Sequence, residues 1–282
     1  LVNNSSGQTT TMPSIKSLRE GTAEVVVDDS CFSLQRIEGK FCIQSHWLTS
    51  VDLSGMASVT SIGNGFCQGC PSLTSINISG MSNLETIGDE FCKEILSLTS
   101  LDVSGMTNLT SIGMGFCRSC PSLTTLNVSG MSNLKSIGPF FGRCCSSLKS
   151  LDLSGMASLQ AIGQFFCSEC TSLERLDLSG MANVTSIENY FVHKCESLTS
   201  LDISAMTNVT SIGDDCWKQC SSLTSLDLSV MTNLTVIGND FCDRTSSLTS
   251  LNLSALSKLE SIGNAFCYEC SSLAILNVSG LT

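Results

Sequence analysis

Residues 98–122 read LTSLDVSGMTNLTSIGMGFCRSCPS, and this 25-residue pattern recurs along the chain without insertion or deletion. A partial repeat occupies residues 273–282, and a degenerate one occupies residues 23–47. Residues 1–22 fit no repeat, so we expect a polar tail or an N-terminal cap there, followed by one repeat domain over residues 23–282. The complete repeats begin at Leu48, Leu73, Leu98, Leu123, Leu148, Leu173, Leu198, Leu223 and Leu248.

Within one repeat, counted from position 1 to position 25, the apolar residues fall at fixed places. Positions 1, 4 and 6 are aliphatic, position 9 is Met or Leu, position 12 is Leu or Val, and position 15 is always Ile. Position 19 is Phe in every complete repeat except one, where Cys216 replaces it. This spacing fits neither an amphipathic helix nor a single alternating strand. It predicts coils whose apolar side chains point toward one axis, with parallel strands stacked about 4.8 Å apart.

Small residues mark the turns between the apolar positions. Ser at position 7 is invariant from Ser54 to Ser279, and its hydroxyl is expected to satisfy backbone groups where the chain leaves the strand. Gly at position 16 is replaced only by Glu188, which predicts a positive φ at a second turn. Around Phe-Cys-x-x-Cys, a short 3-10 segment is the longest helical element that the spacing permits.

The strand motif LxxLxL, as in Leu198, Leu201 and Ile203, resembles the leucine-rich repeat family. The segment I-G-x-x-F-C-x-x-C-x-S-L resembles its BspA-like, Treponema-type subclass, whose pattern is I-G-x-x-A-F-x-x-C-x-x-L. Three differences are the Met at position 9, two additional residues per repeat, and Phe-Cys in place of Ala-Phe, a swap that conserves volume. The resemblance implies a solenoid with a parallel β-sheet on the concave face, turns and short 3-10 segments on the convex side, and few or no α-helices. It also implies a surface-exposed adhesion or protein-interaction module.

The charge composition excludes several classes of function. The net charge is −11, with 14 basic residues against 25 acidic ones, which argues against nucleic acid and anionic membranes as partners. No apolar run in this sequence exceeds four residues, so it contains no predicted transmembrane helix. No nucleophile, base and orienting group recur together, so we expect neither an enzyme nor a cofactor.

The 17 cysteines are concentrated at positions 20 and 23. A structural zinc site needs four converging ligands, and complete CxxC pairs never occur in adjacent repeats, which disfavours zinc. Because members of the two columns are lost singly, buried thiols are favoured over disulfides, although the second interpretation stays open. The complete pairs are Cys67/Cys70, Cys117/Cys120, Cys167/Cys170 and Cys267/Cys270.

Position 5 is Asp or Asn and is expected to point outward from the strand, so that stacked repeats form a polar strip. The strip is either a hydrated surface or an acidic site for a basic protein partner or Ca²⁺. It carries no aromatic residue of the kind that usually contributes interface energy. The candidate interaction residues are Asp102, Asn127, Asp152, Asp177, Asp202 and Asp227.

Three other patterns carry weaker hypotheses. Sequons beyond the strand make Asn108, Asn183, Asn208 and Asn233 candidate glycosylation sites. Positions 17–18 and 21–22 vary most between repeats, so any sequence-specific recognition is expected there. A Thr column at position 2 raises ice binding as a remote alternative, although Lys149 and Glu174 interrupt it.

Taken together, the sequence predicts a non-enzymatic, cell-surface or secreted module that binds a protein partner, with no direct membrane insertion. The alternatives are a passive extension scaffold of near-identical repeats and an intracellular interaction scaffold. No cap follows the last strand in this sequence, so end-to-end self-association is also expected, burying Leu276, Val278 and Leu281.

Overall fold

The computed structural model describes residues Val2–Asn3, Thr9–Thr10, Glu24–Val26 and 34–281. Val2–Asn3 and Thr9–Thr10 form an antiparallel pair, and the other strands belong to two parallel columns. The first column is the predicted one, centred on positions 3 to 5 of each repeat. Its strands are Glu24–Val26, Ser50–Asp52, Ser75–Asn77, Ser100–Asp102, Thr125–Asn127, Ser150–Asp152, Arg175–Asp177, Ser225–Asp227, Ser250–Asn252 and Ile275–Asn277.

A second column of two-residue strands, which the sequence analysis did not predict, covers positions 14 and 15 of each repeat. Strands of neighbouring repeats pair in register, as Ile112 does with Ile137, except between Ala161–Ile162 and Ser186–Ile187, where the column divides into two sheets. The chain therefore forms a solenoid with two parallel ladders and, over the described residues, no helix. The strands are Arg36–Ile37, Ser61–Ile62, Thr86–Ile87, Ser111–Ile112, Ser136–Ile137, Ala161–Ile162, Ser186–Ile187, Ser211–Ile212, Val236–Ile237 and Ser261–Ile262.

The pairing keeps a 25-residue register through the complete repeats, for example Leu101 with Leu126 in the first column. Where the seventh repeat has no strand in this column, an isolated bridge pairs Asp177 with Asp202. In the degenerate repeat, Glu24 pairs with Ser50, an offset of 26 residues, whereas Arg36 pairs with Ser61 at the usual offset of 25. That repeat therefore joins the solenoid with one additional residue between its two strands.

The apolar positions form one continuous core along the solenoid axis. The Phe rings at position 19 stack face to face from Phe41 to Phe191, with centroids of successive rings 4.9 to 5.4 Å apart. In the repeat where position 19 is Cys216, the ring comes from Trp217 at position 20. Trp217 is fully buried and makes T-shaped contacts with Phe191 and Phe241. The exchange of a large and a small residue at adjacent positions thus preserves the core volume.

Gly at position 16 is required for a reason other than the predicted positive φ. Gly63 and Gly88 do not have positive φ, but a Cβ built on Gly63 would lie 2.5 Å from the backbone nitrogen of Gly39 in the preceding repeat. Close approach between coils therefore selects Gly there. The prediction of a left-handed turn at position 16 was wrong.

The left-handed residues lie instead at positions 18, 20 and 22, and most of them are not glycine. In one repeat they are Glu90, Cys92 and Glu94, with φ of 61°, 54° and 59°. Because every second residue here has a positive φ, the backbone cannot form the 3-10 segments expected, and the described residues 34–281 contain none. Amides of this segment instead bond to neighbouring repeats: Cys92 N–H donates to the Phe66 carbonyl at 2.8 Å, and Glu94 N–H to the Arg118 carbonyl at 2.8 Å.

Asparagine at position 11 adds a side-chain ladder outside the strands. Asn83 Nδ2 donates to the Ala57 carbonyl at 2.9 Å, and Asn133 Nδ2 donates to the Thr107 carbonyl at 2.9 Å. Each bond joins a repeat to the one before it and satisfies a turn carbonyl that neither strand column engages.

The core becomes accessible in the last repeat, because no further coil packs on it among the described residues. Leu276 and Val278 are each 46% exposed, whereas the equivalent Leu251 and Leu253 are buried, and Leu281 is partly buried. These side chains are the ones for which end-to-end association was expected.

Truncation of a core column residue tests the inward orientation of position 15. Ile162 is 4% exposed in the middle of the solenoid, so Ile162→Ala should lower the free energy of unfolding by about 2–5 kcal/mol through cavity formation. Gln164→Ala, at an exposed position of the same repeat, serves as the control. Equilibrium denaturation should show a loss at Ile162 only; equal, small changes in both variants would contradict the packing described.

Candidate interaction surface

The candidate strip at position 5 is continuous and lies on the outer side of the first strand column. Asp102, Asn127, Asp152, Asp177, Asp202 and Asp227 are all exposed. Register pairs bring Asp152 beside Asp177 and Asp177 beside Asp202, so neighbouring carboxylates belong to adjacent strands. The structure thus brings the sequence-predicted residues together on one surface, which we call the strand face.

These carboxylates also shape the turn that follows the strand. In each Asp repeat, the side-chain Oδ1 accepts a hydrogen bond from the backbone N–H of the Ser two residues later, at 2.8 to 2.9 Å. Where position 5 is Asn, as at Asn127, the same bond forms at 3.3 Å and the Ser129 hydroxyl also donates to Oδ1 at 2.9 Å. The D/N-x-S spacing was the sequence signal for this Asx turn. In the Asp repeats the Ser hydroxyl acts together with the amide, since both interact with the carboxylate of Asp102 and of Asp152.

Hydrogen bonding favours the ionised form of three carboxyls of the strip. Ser104 hydrogen bonds lower the pKa of Asp102, and the equivalent bonds from Ser154 and Ser204 lower the pKa of Asp152 and Asp202. Donors to a carboxylate favour its charged form. The strand face therefore presents fixed negative charge at neutral pH.

The strand face does not form a cation cage. Among the residues that the structure describes, no three His, Cys, Asp or Glu side chains converge in a way that could hold a metal ion. With one oxygen of each Asp held by the turn, the side chains lie side by side rather than around a common centre. Among the described residues, the strand face therefore presents no converging group of carboxylates that could bind Ca²⁺.

The cysteine columns lie in the core and not on a reactive surface. Sixteen cysteines fall in the described ranges, and all are free thiols. At position 23 the thiol donates to the carbonyl of position 20 in the preceding repeat, as Cys170 Sγ does to the Gly142 carbonyl at 3.1 Å. Burial raises the pKa of Cys92 and Cys242, and it raises that of Cys220 to about 12. These thiols are protonated at neutral pH and poor nucleophiles.

The sequon asparagines belong to the position-11 ladder. Nδ2 of Asn108, Asn183 and Asn208 donates to a carbonyl of the preceding repeat at 2.8 to 3.0 Å, and Nδ2 of Asn233 does so at 3.3 Å. A glycan would replace one of the two amide hydrogens and leave the other for the ladder. Their glycosylation stays a prediction.

A second surface lies along the turns at positions 18 and 21, which belong to the variable positions where any sequence-specific recognition was expected. Phe140, Phe165 and Tyr190 occupy position 18 of consecutive repeats and stack at 4.9 and 4.2 Å between centroids. Their 25-residue spacing was the signal that could have identified them. We call this surface the aromatic edge; it comprises Arg118, Phe140, Arg143, Phe165, Tyr190 and His193.

Cations accompany these rings. The Arg118 guanidinium lies 4.8 Å from the Phe140 centroid, and that of Arg143 lies 4.9 Å from the Phe165 centroid. The His193 ring packs edge-on against Tyr190 at 5.5 Å, and burial lowers the pKa of His193 below its usual value. The lasting positive charge of the edge therefore comes from the two arginines.

The similarity of this chain to known proteins lies in its repeats. The sequence model described as "BspA type Leucine rich repeat region" matches six copies within residues 35–155 and 135–274. No curated protein matches the sequence. Among solved structures, a leucine-rich repeat protein from Bacteroides ovatus aligns with a TM-score of 0.62 at 18% identity, covering 85% of this chain and 58% of that one. The chain thus spans less than two thirds of that relative, and the likeness at this identity concerns the fold.

Two further solved structures align over much of their length but less closely in space. The leucine-rich repeat protein of T. pallidum has a TM-score of 0.44 at 20% identity, covering 71% of this chain and 78% of that one. A protein of Faecalibacterium prausnitzii, described as a leucine rich cell surface protein, has a TM-score of 0.36 at 18% identity, covering 90% of this chain and 86% of that one.

The Asx turns make the stability of the solenoid depend on pH. A carboxyl whose folded pKa is lowered stabilises the fold above its unfolded pKa, near 3.9, and loses that contribution as the pH falls through the folded value. The free energy of unfolding should therefore decrease between about pH 5 and pH 2. Because Asn keeps the Oδ1 acceptor without titrating, the D102N/D152N/D202N variant should show a shallower decrease in denaturation experiments. A slope equal to that of the unsubstituted chain would contradict this role.

Proposed function

The chain belongs to the BspA-type leucine-rich repeat family, and from this premise we propose that it is a non-enzymatic protein-binding module of the adhesion type. The observation that carries the proposal is the unbroken row of exposed carboxylates Asp152, Asp177, Asp202 and Asp227 on the strand face. The partner proposed for this surface is a protein segment rich in Lys or Arg.

Charge and rigidity both favour a basic partner. The net charge of −11 attracts a basic protein at long range, and the row supplies a local site of the same sign. Each Asp side chain is already held by a Ser amide, at 2.9 Å for Asp177 and for Asp202. Binding then requires little further ordering of these side chains, which lowers its entropic cost.

The position of the strand face also supports a binding role. The strand backbones pair with neighbouring repeats over most of this column, so the outward side chains are available without disturbing the fold. Arg175 and Asp177, with Leu176, Ser179, Ser200 and Asp202, line a shallow hollow on this surface. Arg175 places one positive charge beside the row of carboxylates. This charge distinguishes one repeat from the others and can fix the position at which a partner binds along the row.

The alternatives raised by the sequence are less well supported. Ice binding would require the Thr hydroxyls at position 2 to be free to bind water. Instead, Thr124 Oγ1 donates to the Thr99 carbonyl at 2.9 Å, and Thr249 Oγ1 donates to the Thr224 carbonyl at 3.0 Å. A passive scaffold would need no row of like charges, which repel one another across adjacent strands. The row therefore favours recognition over simple extension.

The proposed location is the cell surface or the secreted fraction, which rests on the family assignment. Within the described residues, no helix is long and apolar enough to cross a membrane. Antibody access to the chain on intact cells tests the location: labelling only after permeabilisation would contradict it and favour the intracellular scaffold.

Charge removal on the strand face tests the proposed function. D177N/D202N retains the turn bonds, as Asn127 and Asn252 show, and removes two charges. The dissociation constant for an oligolysine peptide, measured by calorimetry at physiological ionic strength, should rise about 2- to 30-fold with a weaker salt dependence. E85Q/E260Q removes the same charge from exposed position-13 sites and should change the constant little. Equal weakening by both variants would show only a net-charge effect and contradict the site.

A further inference from the structure

The aromatic edge places bulky rings where the backbone conformation disfavours them. Phe140, Phe165 and Tyr190 have φ of 64°, 59° and 61°. At the same position two other repeats use Gly65 and Gly115, for which positive φ has no steric cost. The other repeats have the same conformation at position 18, as Glu90 and Asp240 show, so the left-handed φ belongs to the turn and the ring side chains are what distinguish the edge.

The polar column at position 17 is interrupted beside part of the aromatic edge. Asn64 Oδ1 accepts from the Asp89 amide at 2.9 Å, and the column is present again at Asn189, whose Oδ1 accepts from the Asp214 amide at 2.8 Å. Between them, position 17 holds Met114 and Pro139, whose half-buried side chains offer no strong acceptor. An apolar segment thus replaces the hydrogen-bonded column beside Phe140.

The stacking determines which part of each ring a partner can reach. Each face that meets a neighbour is covered, since Phe165 lies between Phe140 and Tyr190 with interplanar angles of 19° and 5°. The accessible part of Phe165 is therefore its edge, which carries partial positive charge. Ring edges and guanidinium groups together make this surface attractive to anions.

The two arginines differ in how they are engaged. Arg143 is paired with Glu169 at 2.7 Å, and this bond lowers the pKa of the Glu169 carboxyl. Arg118 has no ion pair among the described residues, and its buried Nε has no hydrogen-bond partner there. Since this Nε has no accessible surface, an incoming carboxylate would meet the terminal nitrogens of the guanidinium, whose charge no ion pair among the described residues neutralises.

We propose that the aromatic edge binds an acidic protein segment, with a carboxylate on Arg118 and apolar side chains of the segment against the edges of Phe140, Phe165 and Tyr190. The inference shares with the proposed function only the premise that the chain binds proteins, since it concerns another surface and a partner of opposite charge.

The chemistry of the surface separates this occupant from others. A nucleobase needs an open aromatic face on which to stack, and the phosphates of nucleic acid are repelled by the overall charge of −11. The overall charge repels an acidic protein segment as well, and screening limits that repulsion to about 8 Å at physiological salt, so the covered ring faces are what separate the two ligands. A basic segment would face two guanidinium groups and no free carboxylate in the edge.

Binding of peptides to the full chain tests the proposal. The probe is a peptide of alternating Glu and Leu, with a Gln–Leu and a Lys–Leu peptide of the same length as controls. Calorimetry should show preference for the Glu–Leu peptide and about tenfold weaker binding to Arg118→Gln. Phe165→Gly, which copies Gly115, should weaken binding by a similar factor without lowering the melting temperature, whereas Phe165→Tyr should retain it.

Four outcomes would overturn the inference. They are absence of binding at millimolar peptide, equal affinity for the Gln–Leu peptide, unchanged affinity in both Arg118→Gln and Phe165→Gly, and concentration-dependent association of the chain that both variants abolish. The last outcome would identify a second copy as the occupant. Because D177N/D202N leaves the aromatic edge intact, it should not weaken Glu–Leu binding, so failure of one proposal is distinguishable from failure of the other.

Discussion

Contact between coils 25 residues apart is the constraint on which the remaining structure depends. In register, Leu101 pairs with Leu126, Ile112 pairs with Ile137, and the Phe91 ring stacks on Phe116. A side chain at any position is therefore neighboured by the same position of the adjacent repeats. A side chain must therefore pack well against the same position of the adjacent repeats. This requirement selects one residue type at each position, and that residue type then forms a column along the solenoid.

Columns explain both the stability and the surfaces of the molecule. Inside, rings, aliphatic chains and thiols stack and exclude water, and the turn amides bond from coil to coil. Outside, a repeated Asp becomes a row of charge, and three aromatic residues become a stack with arginines beside it. Recognition by these two surfaces is the function proposed for the chain.

The apolar spacing was sufficient to predict the solenoid, the first strand column and the position-5 strip, because burial in stacked coils leaves few other solutions for positions 4, 6 and 15. Features set by backbone detail were not predictable in the same way. Gly63 is selected by contact with a neighbouring coil, and the left-handed residues include Cys92 and Glu90, which composition does not associate with positive φ. The ring stack of Phe140, Phe165 and Tyr190 appears only when the 25-residue spacing is combined with the turn geometry.

Deletion of one complete repeat tests the register most directly. Removal of residues 148–172 should leave a shorter solenoid that unfolds cooperatively and has a far-ultraviolet circular dichroism spectrum like that of the full chain. The reason is that each position then stacks again on the same position of the next remaining repeat. Removal of residues 148–159 brings strand and turn positions of different columns together and should abolish cooperative unfolding. Equal stability of the two deletion variants would contradict the account.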